Sequence, residues 1–185
     1  MRPRSKAGTG PKEIKRLDRE GLLAYSARIL AARTQTVSEL GRKLARRAAL
    51  PAEVDEVIAR LKENGYLNDQ RLAESFASWR KDNEGFGKDR VIRDLMARKV
   101  APETAKKAAE KAYASADEVE MIRQFLERKY RGKDLHALLK EEKHLASAYR
   151  RLRTAGFGSA TSIRVLKGFA LQAGELDSME DIEIE

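Results

Sequence analysis

The chain has 185 residues, of which 42% are hydrophobic and 36% charged, and it contains no cysteine. This composition supports a folded core and excludes a disulfide framework or a thiolate metal site. A membrane-spanning helix needs about 20 consecutive apolar residues, and the longest apolar runs here are much shorter. We therefore expect no membrane segment, no secretory signal and a cytoplasmic location.

The net charge of +9 is unevenly distributed. Residues 1–21 carry seven Lys and Arg against three acids, and residues 174–185 carry six acids and no base, which leaves +11 for residues 22–173. Such a body favours a polyanionic partner, either nucleic acid, an anionic membrane surface or an acidic protein face. The alternative is an ordinary surface rich in solvated lysine and arginine.

Apolar residues recur at three- and four-residue steps, and no segment alternates as a half-buried strand would, so the pattern predicts an all-α fold. Residues 1–20 are predicted to be a flexible basic arm and residues 173–185 a disordered acidic tail. Thr36 or Ser38 is a candidate N-cap, and Gly65 a candidate helix end. The apolar stripes are, in chain order, Leu22, Leu23, Ser26, Ile29 and Leu30; Val37, Leu40 and Leu44; Val54, Val57, Ile58 and Leu61; Leu72, Phe76 and Trp79; and Val91, Ile92, Leu95 and Met96.

An internal repeat divides the helical region into three parts. A leucine that follows a charged pair precedes a helix-opening Pro or Ser by seven residues three times: Leu44 and Pro51, Leu95 and Pro102, Leu152 and Ser159. Proline is favoured at the first helical position because its missing amide hydrogen would lack an intrahelical partner there. The spacing predicts three tandem three-helix repeats, at residues 21–66, 67–115 and 116–172, stacked into an elongated, curved body.

Sequence motifs for catalysis are missing. The chain has neither a phosphate-binding loop nor a dinucleotide fingerprint. Glu141 and His144 have the spacing of half a di-metal site, but such a site needs two copies, and two surface histidines are the simpler interpretation. We therefore predict a protein that is not an enzyme and that uses no cofactor or metal.

Basic residues cluster on the corresponding helix of every predicted repeat, and arginine suits two-pronged contacts with phosphate or carboxylate. Trp79, Phe76, Tyr25 and Phe125 fall at core spacing, whereas Phe86 lies in a loop where it could be exposed. Solvated helix faces are the alternative to a binding surface. The predicted partner-binding residues are Arg42, Lys43, Arg46, Arg47, Arg80, Lys88, Arg90, Arg93, Arg98, Lys99, Arg150, Arg151, Arg153, Arg164 and Lys167.

The central segment closely resembles the signature of the RecX family. Residues 63–69 read Glu-Asn-Gly-Tyr-Leu-Asn-Asp, and Arg71, Leu72, Ala73 and Phe76 follow. Asn68 stands where the family more often has Asp, and residues 131–144 fit no repeat position well. Gly65, Tyr66, Leu67, Asp69 and Phe76 would be structural signature residues. Further matches are Arg80, Gly85, Gly87, Arg90, Ile92, Leu95, residues 27–30 and 38–44, and, more loosely, Arg150, Arg151, Leu152, Gly156 and Phe157.

This resemblance implies three tandem three-helix repeats, no enzymatic activity and a role as a modulator, mostly an inhibitor, of the RecA recombinase in DNA repair, recombination and the SOS response. It implies binding along the groove of the RecA–single-stranded DNA filament by a monomer, with the DNA contacted directly or through the filament. The alternative is a stand-alone DNA-binding protein whose helix-turn-helix-like units enter a major groove, with residues 90–99 as the candidate helix.

Overall fold

In the computed structural model, residues 16–169 are described, and all their regular elements are helical. The predicted all-α class is confirmed. The predicted tail and residues 1–15 of the predicted arm lie outside the described residues. The helices are α1 (Arg19–Ala32), α2 (Val37–Ala45), α3 (Ala52–Glu63), α4 (Asp69–Trp79), which continues into a π-helical segment (Arg80–Glu84), α5 (Lys88–Ala97), α6 (Pro102–Tyr113), α7 (Glu118–Lys129), α8 (Leu135–Leu138), α9 (Glu142–Ala155) and α10 (Ser159–Phe169).

The chain divides between Asn68 and Asp69 into two compact units. In the first unit, α1, α2 and α3 enclose a core that includes Leu22, Leu40, Leu44, Val57 and Leu67. Among the helices described, none has both the length and the apolar character needed to cross a bilayer.

Local signals at the helix ends of the first unit agree with the sequence. The Thr36 hydroxyl accepts a hydrogen bond from the Glu39 amide at 3.0 Å, and the Glu39 carboxylate accepts one from the Thr36 amide at 3.0 Å. This reciprocal capping box satisfies two amides that the first helical turn leaves unpaired. Gly65 has a φ of +71°, which an L side chain rarely adopts, and it follows the end of α3 as predicted.

In the second unit, α4, α5 and α6 share a core in which small residues dominate. Ala73 and Ala77 of α4 are fully buried against a third alanine, Ala105 of α6. The prediction that Trp79 is a core residue is wrong, because its side chain is 52% exposed near the end of α4. Alanines allow two helices to approach closely, so the larger aromatic side chains of α4 lie beside the contact and not within it.

Helices α7 to α10 form a second core in the same unit, around Ile122, Leu126, Leu145, Leu152 and Phe157. This group has four helices, not the three predicted, because α8 adds a single turn within the charged stretch that fitted no repeat position. The Asp134 side chain accepts hydrogen bonds from two amides of that turn. A local N-cap therefore supports helix where the apolar pattern is weak.

The repeat is also visible in the backbone at the ends of α5 and α9. Lys99 lies four residues after Leu95 and has a φ of 66°; Gly156 lies four residues after Leu152 and has a φ of 89°. Each is followed by a buried apolar residue, Val100 or Phe157. The left-handed residue turns the chain so that the next side chain reaches the core before the following helix begins.

Candidate anion-binding surfaces

The first unit has a basic patch on and just after α2. Arg42, Arg46 and Arg47 are exposed, and none forms an ion pair with an acid among residues 16–169. The Arg47 guanidinium lies 4.8 Å from the Tyr25 ring centre, and the Lys43 ammonium donates to the nearly buried Gln35 at 2.7 Å. Three arginine charges therefore face solvent without an acidic neighbour in the described part of the chain.

In the second unit, the start of α5 meets the end of α9. The Gly87 amide donates to the Ala155 carbonyl at 2.8 Å, and the Asp89 amide donates to the Gly156 carbonyl at 3.1 Å. The unpaired donors of one helix thus satisfy the unpaired acceptors of the other. The positive end of the α5 dipole also faces the negative end of the α9 dipole, which favours the same arrangement.

Two predicted binding arginines stabilise this junction. Arg90 and Arg93 each donate to the Thr154 carbonyl, at 3.3 and 3.2 Å, and Arg90 also pairs with Asp94 at 3.1 Å. Cations at a helix C-terminus are favourable because they lie beside its partial negative charge. Much of the hydrogen-bonding capacity of Arg90 is consequently used inside the protein.

Two glycines permit the close approach of the backbones. A Cβ at Gly87 would lie 2.2 Å from the Gly156 carbonyl oxygen, and a Cβ at Gly156 would lie 2.1 Å from the backbone nitrogen of Arg90. Gly156 also has a φ of +89°. A side chain at either position would force the helices apart.

Arg80 has an internal role in the second unit. Its guanidinium binds the Glu84 carboxylate and pairs with Asp94 at 3.1 Å, and it lies 5.0 Å from the Phe76 ring centre and 5.4 Å from that of Phe86. Its side chain is mostly buried. We therefore remove Arg80 from the proposed binding surface and assign it to the packing of α4 against α5.

A cleft of about 390 Å³ opens beside the junction. Four of the side chains that line it are cationic and none is acidic, and the Arg150 and Arg151 side chains make no hydrogen bond, ion pair or ring contact within residues 16–169. Both are exposed. The full lining is Phe86, Arg90, Phe125, Lys129, Ser147, Arg150, Arg151, Thr154 and Ala155.

The other predicted cations of the second unit do not line this cleft. Lys88, Lys99 and Arg164 are exposed, Arg98 lies 5.6 Å from the Phe76 ring centre, and the Arg153 guanidinium donates to the Phe157 carbonyl at 2.5 Å. Lys167 is half-buried near the end of α10. Of the predicted cations, the structure thus brings Arg90, Arg150 and Arg151 to one cleft.

The signature residues mark the turn between α3 and α4. Leu67 is buried and its amide donates to the Leu61 carbonyl at 3.1 Å, whereas Tyr66 is 70% exposed. Asp69 is the first residue of α4. Phe76 is half-buried, with the guanidinium groups of Arg80 and Arg98 near its ring. Most of this signature therefore shapes the turn, and only Tyr66 presents a large side chain to solvent.

Sequence reasoning missed three features of the cleft. Lys129 and Phe125 come from α7 and Ser147 comes from α9, and none was among the predicted binding residues. The signal that the sequence does contain is indirect, because Lys129 ends a helix of the same predicted repeat that carries Arg150. Glu141 and His144 have the spacing of half a di-metal site, and a Glu141 carboxylate oxygen lies 3.4 Å from His144 Nε2.

Tyr113 holds the Phe86 loop against the end of α6, because its hydroxyl donates to the Phe86 carbonyl at 2.5 Å. Burial, and to a lesser degree the negative charge of Asp82, raises the pKa of Tyr113 above its ordinary value of 10.0. Above about pH 10 the unfolded phenol therefore loses its proton before the folded one, and this contribution to stability falls as the pH rises.

We expect Tyr113→Phe to lower the free energy of unfolding by about 1–2 kcal/mol near neutral pH, because it leaves the Phe86 carbonyl without this donor. The difference from the parent protein should shrink above about pH 10. Urea unfolding of both proteins at several pH values measures it. A difference that stays constant across the alkaline range would contradict the assigned role of the phenol.

Known proteins resemble the chain in sequence. A family model described as RecX, second three-helix domain, matches residues 68–108. The regulatory protein RecX of Trichlorobacter lovleyi is 34% identical over 130 residues, which cover 70% of this chain and 79% of that protein. The chain belongs to the RecX family. A second RecX, from Deinococcus radiodurans, is 33% identical over 142 residues, which cover 77% of this chain and 65% of the relative.

Solved RecX structures share the fold. The crystal structure of RecX from Lactobacillus salivarius aligns with a TM-score of 0.63 at 16% sequence identity, over 82% of this chain and 96% of the other. Another crystal structure of regulatory protein RecX aligns with a TM-score of 0.65 at 17% identity, over 80% of this chain and 72% of the other. At these identities the likeness concerns the fold alone.

Proposed function

We propose that this RecX family member is a non-enzymatic regulator that binds the RecA–single-stranded DNA filament in its groove and inhibits ATP hydrolysis and strand exchange. It would act in DNA repair, recombination and the SOS response. Membership of a family of regulatory proteins supports a modulator, and the basic surfaces support an anionic partner. The observation that carries the proposal is the cleft with four cationic side chains and no acidic one.

A stand-alone DNA-binding protein is the competing function. It requires the basic side of α5 to enter a major groove. Arg90 and Arg93 of α5 instead donate to the Thr154 carbonyl. Because these two arginines hold a neighbouring helix, fewer donors of α5 are left for base edges, and the structure disfavours this alternative.

The rate of ATP hydrolysis by RecA on single-stranded DNA tests partner and consequence together. We expect the rate to fall as the protein is added to preformed filaments, and the effect to weaken as the salt concentration rises, because the contacts are largely between charges. An unchanged or increased rate over a concentration range that covers saturation would contradict the proposal. Omitting the DNA provides the control for effects on free recombinase.

A further inference from the structure

The cleft between α7, α9 and the start of α5 concentrates positive charge. Lys129 lines it from α7, and Arg150 and Arg151 line it from α9. None of the three forms an ion pair with an acid within residues 16–169, although Lys129 has the Phe125 ring centre 5.8 Å away. Like charges gathered in one cleft repel one another, so an anionic group that binds there relieves this repulsion.

The rest of the lining suits a peptide. Ser147 and Thr154 line the cleft and have hydroxyl groups, which can accept hydrogen bonds from peptide amides. The rings of Phe86 and Phe125 and the methyl group of Ala155 add apolar surface. A peptide that combines acidic and apolar side chains therefore matches the cations, the hydroxyls and the apolar groups of this cleft together.

A sequence of this kind follows α10 in the same chain. Residues 174–185, which we call the acidic segment, read Gly-Glu-Leu-Asp-Ser-Met-Glu-Asp-Ile-Glu-Ile-Glu, with six acids and no base. From Asp181 to Glu185 acids alternate strictly with isoleucines. In an extended peptide successive side chains point to opposite sides. Such a stretch can present its carboxylates to a row of cations and its isoleucines to the other side.

The chain leaves α10 near the end of α7 that carries Lys129. α10 begins beside the start of α7, because the Gly158 amide donates to the Glu118 carboxylate at 2.8 Å. It ends at Phe169, whose ring centre lies 5.0 Å from that of His136, a residue that follows α7. α7 and α10 therefore run in the same direction, and the acidic segment starts from the end of this helix group where the cleft has its α7 cation.

The acidic segment is long enough to reach the cleft. An extended chain covers about 3.3–3.6 Å per residue, so Glu175 can lie about 20 Å from Phe169. That span passes around a helix of about 10–12 Å in diameter. From Glu175 to Glu185 the chain can cover about another 35 Å. α9, with 14 residues, is only about 21 Å long, so the acids can follow the whole cleft.

The covalent link favours this occupant over a separate acidic protein. A group tethered by a short linker has an effective concentration on the order of millimolar, which a free acidic peptide has to match in order to compete. The net charge of the acidic segment is also opposite to that of the cleft. Proximity and charge therefore select the same partner.

We propose that residues 174–185 bind in this cleft of their own chain and compete there with the anionic partner. The cations of the cleft bind the carboxylates, and Ser147 and Thr154 accept hydrogen bonds from backbone amides of the acidic segment. An anionic partner then binds the cleft only when it displaces the segment. This regulatory consequence rests on the function proposed above, whereas the contact within the chain does not.

The contact is tested by crosslinking, because the chain has no cysteine of its own. Ser178→Cys in the acidic segment is combined either with Ser147→Cys in the cleft or with Ser115→Cys, which lies outside the cleft in the same unit. We expect a short bis-maleimide to join the first pair at least about tenfold faster at low salt, since binding raises the local concentration of the segment. Ser115 is exposed and Ser147 half-buried, so accessibility alone predicts the reverse order.

Charge variants of the crosslinking protein provide the matched control. Replacing Arg150 and Arg151 by glutamine should slow the crosslink to the cleft about tenfold, because the attraction between opposite charges is lost. Replacing Lys107 and Arg123, exposed cations outside the cleft, should leave the rate within about twofold, because exposed charges are screened by salt. Equal rates for the two cysteine pairs, or equal slowing by the two charge variants, would overturn the contact.

A cycle of variants tests the competition. A chain that ends at Ala173 should inhibit RecA ATP hydrolysis at about tenfold lower concentration than the full chain, as expected when a competitor occupies the cleft for about nine-tenths of the time. In the background of Arg150→Gln with Arg151→Gln, the same shortening should change little, because the two changes act on one contact. A general effect of net charge would persist in that background, and that result would contradict the competition.

The failures of the two proposals are distinguishable, because crosslinking is measured without recombinase. A chain that inhibits RecA but shows no preference for the cleft in crosslinking retains the proposed function and loses this contact. A chain that crosslinks as expected but leaves ATP hydrolysis by RecA unchanged, with or without the acidic segment, retains the contact and loses the proposed function.

Discussion

Replacing both Arg150 and Arg151 by glutamate is expected to raise the concentration needed for half-maximal inhibition of RecA ATP hydrolysis by about 100-fold. Each reversal removes a cation from the cleft and adds an anion, and a change of 1.4 kcal/mol corresponds to tenfold in affinity. Both side chains are exposed and lack partners within residues 16–169. The free energy of unfolding should therefore change by no more than about 0.5 kcal/mol.

The matched control reverses two cations away from the cleft. Arg123 and Arg131 are exposed, and neither lines the cleft, so replacing both by glutamate alters the net charge by the same amount. We expect this control to inhibit within about threefold of the parent protein, because neither side chain lines the cleft and exposed charges are screened by salt. Equal losses in both double variants would show that total charge, and not the cleft, governs binding.

Variants of Arg90 and Arg93 cannot serve this purpose. The residue pattern alone makes them equivalent to the α9 arginines, but their hydrogen bonds to the Thr154 carbonyl mean that a reversal would also disturb the helix junction. Loss of inhibition in such a variant would combine a binding effect with a folding effect. Arg150 and Arg151 avoid this ambiguity.

Gly156→Ala is expected to lower the free energy of unfolding of the second unit by about 4 kcal/mol. Part of the cost is backbone strain, since an L residue at a φ of +89° is unfavourable by about 1–2 kcal/mol. The remainder is steric, since the new Cβ would lie 2.1 Å from the backbone nitrogen of Arg90 and 2.5 Å from the Arg90 Cβ. Overpacking typically costs about 1–3 kcal/mol. Urea unfolding followed by circular dichroism measures the change.

Two other glycines separate the two contributions. Gly132 has a φ of +79°, but a Cβ added there would meet no atom within 4 Å, so Gly132→Ala should cost only the strain, about 1–2 kcal/mol. Gly168 lies within α10 with neither strain nor a close neighbour, so Gly168→Ala should stabilise by about 0.5–1 kcal/mol. A cost for Gly156→Ala no larger than that for Gly132→Ala would contradict the close packing of α5 on α9.

Local physical chemistry made much of the fold predictable. The capping box at Thr36 and the positive φ of Gly65 depend on residues within a few positions in the chain, and the sequence predicts both a cap and a helix end there. The burial of Trp79 was predicted wrongly. Helical spacing alone fits Trp79 to a buried face of α4 as well as it fits Ala73 and Ala77, which are the residues that are fully buried. Only the approach of α6 determines which of those faces is covered.

The candidate surface was predictable in composition but not in arrangement. Arginines on corresponding helices of the repeat are visible in the sequence, yet Arg80 proves to be tied to Glu84 and Asp94. Lys129 joins the cleft from a different helix. The pair of Arg80 with Asp94 and the position of Lys129 beside Arg150 and Arg151 join residues that are far apart in sequence, so the chain pattern contains no direct signal for them. The i,i+4 pair of Arg80 with Glu84 is local.

Most helix positions, the left-handed turn at Gly65 and the family resemblance follow from the sequence by itself, because each depends on short-range periodicity or on a local motif. The short helix α8, in the charged stretch, was not predicted. The division of the arginines into those that hold α5 against α9 and those that face solvent was decided by the tertiary structure. The physical reason is that a guanidinium group binds whichever acceptor the fold places within reach. At the junction that acceptor is the Thr154 carbonyl, and beside it Arg150 and Arg151 have none in the described structure.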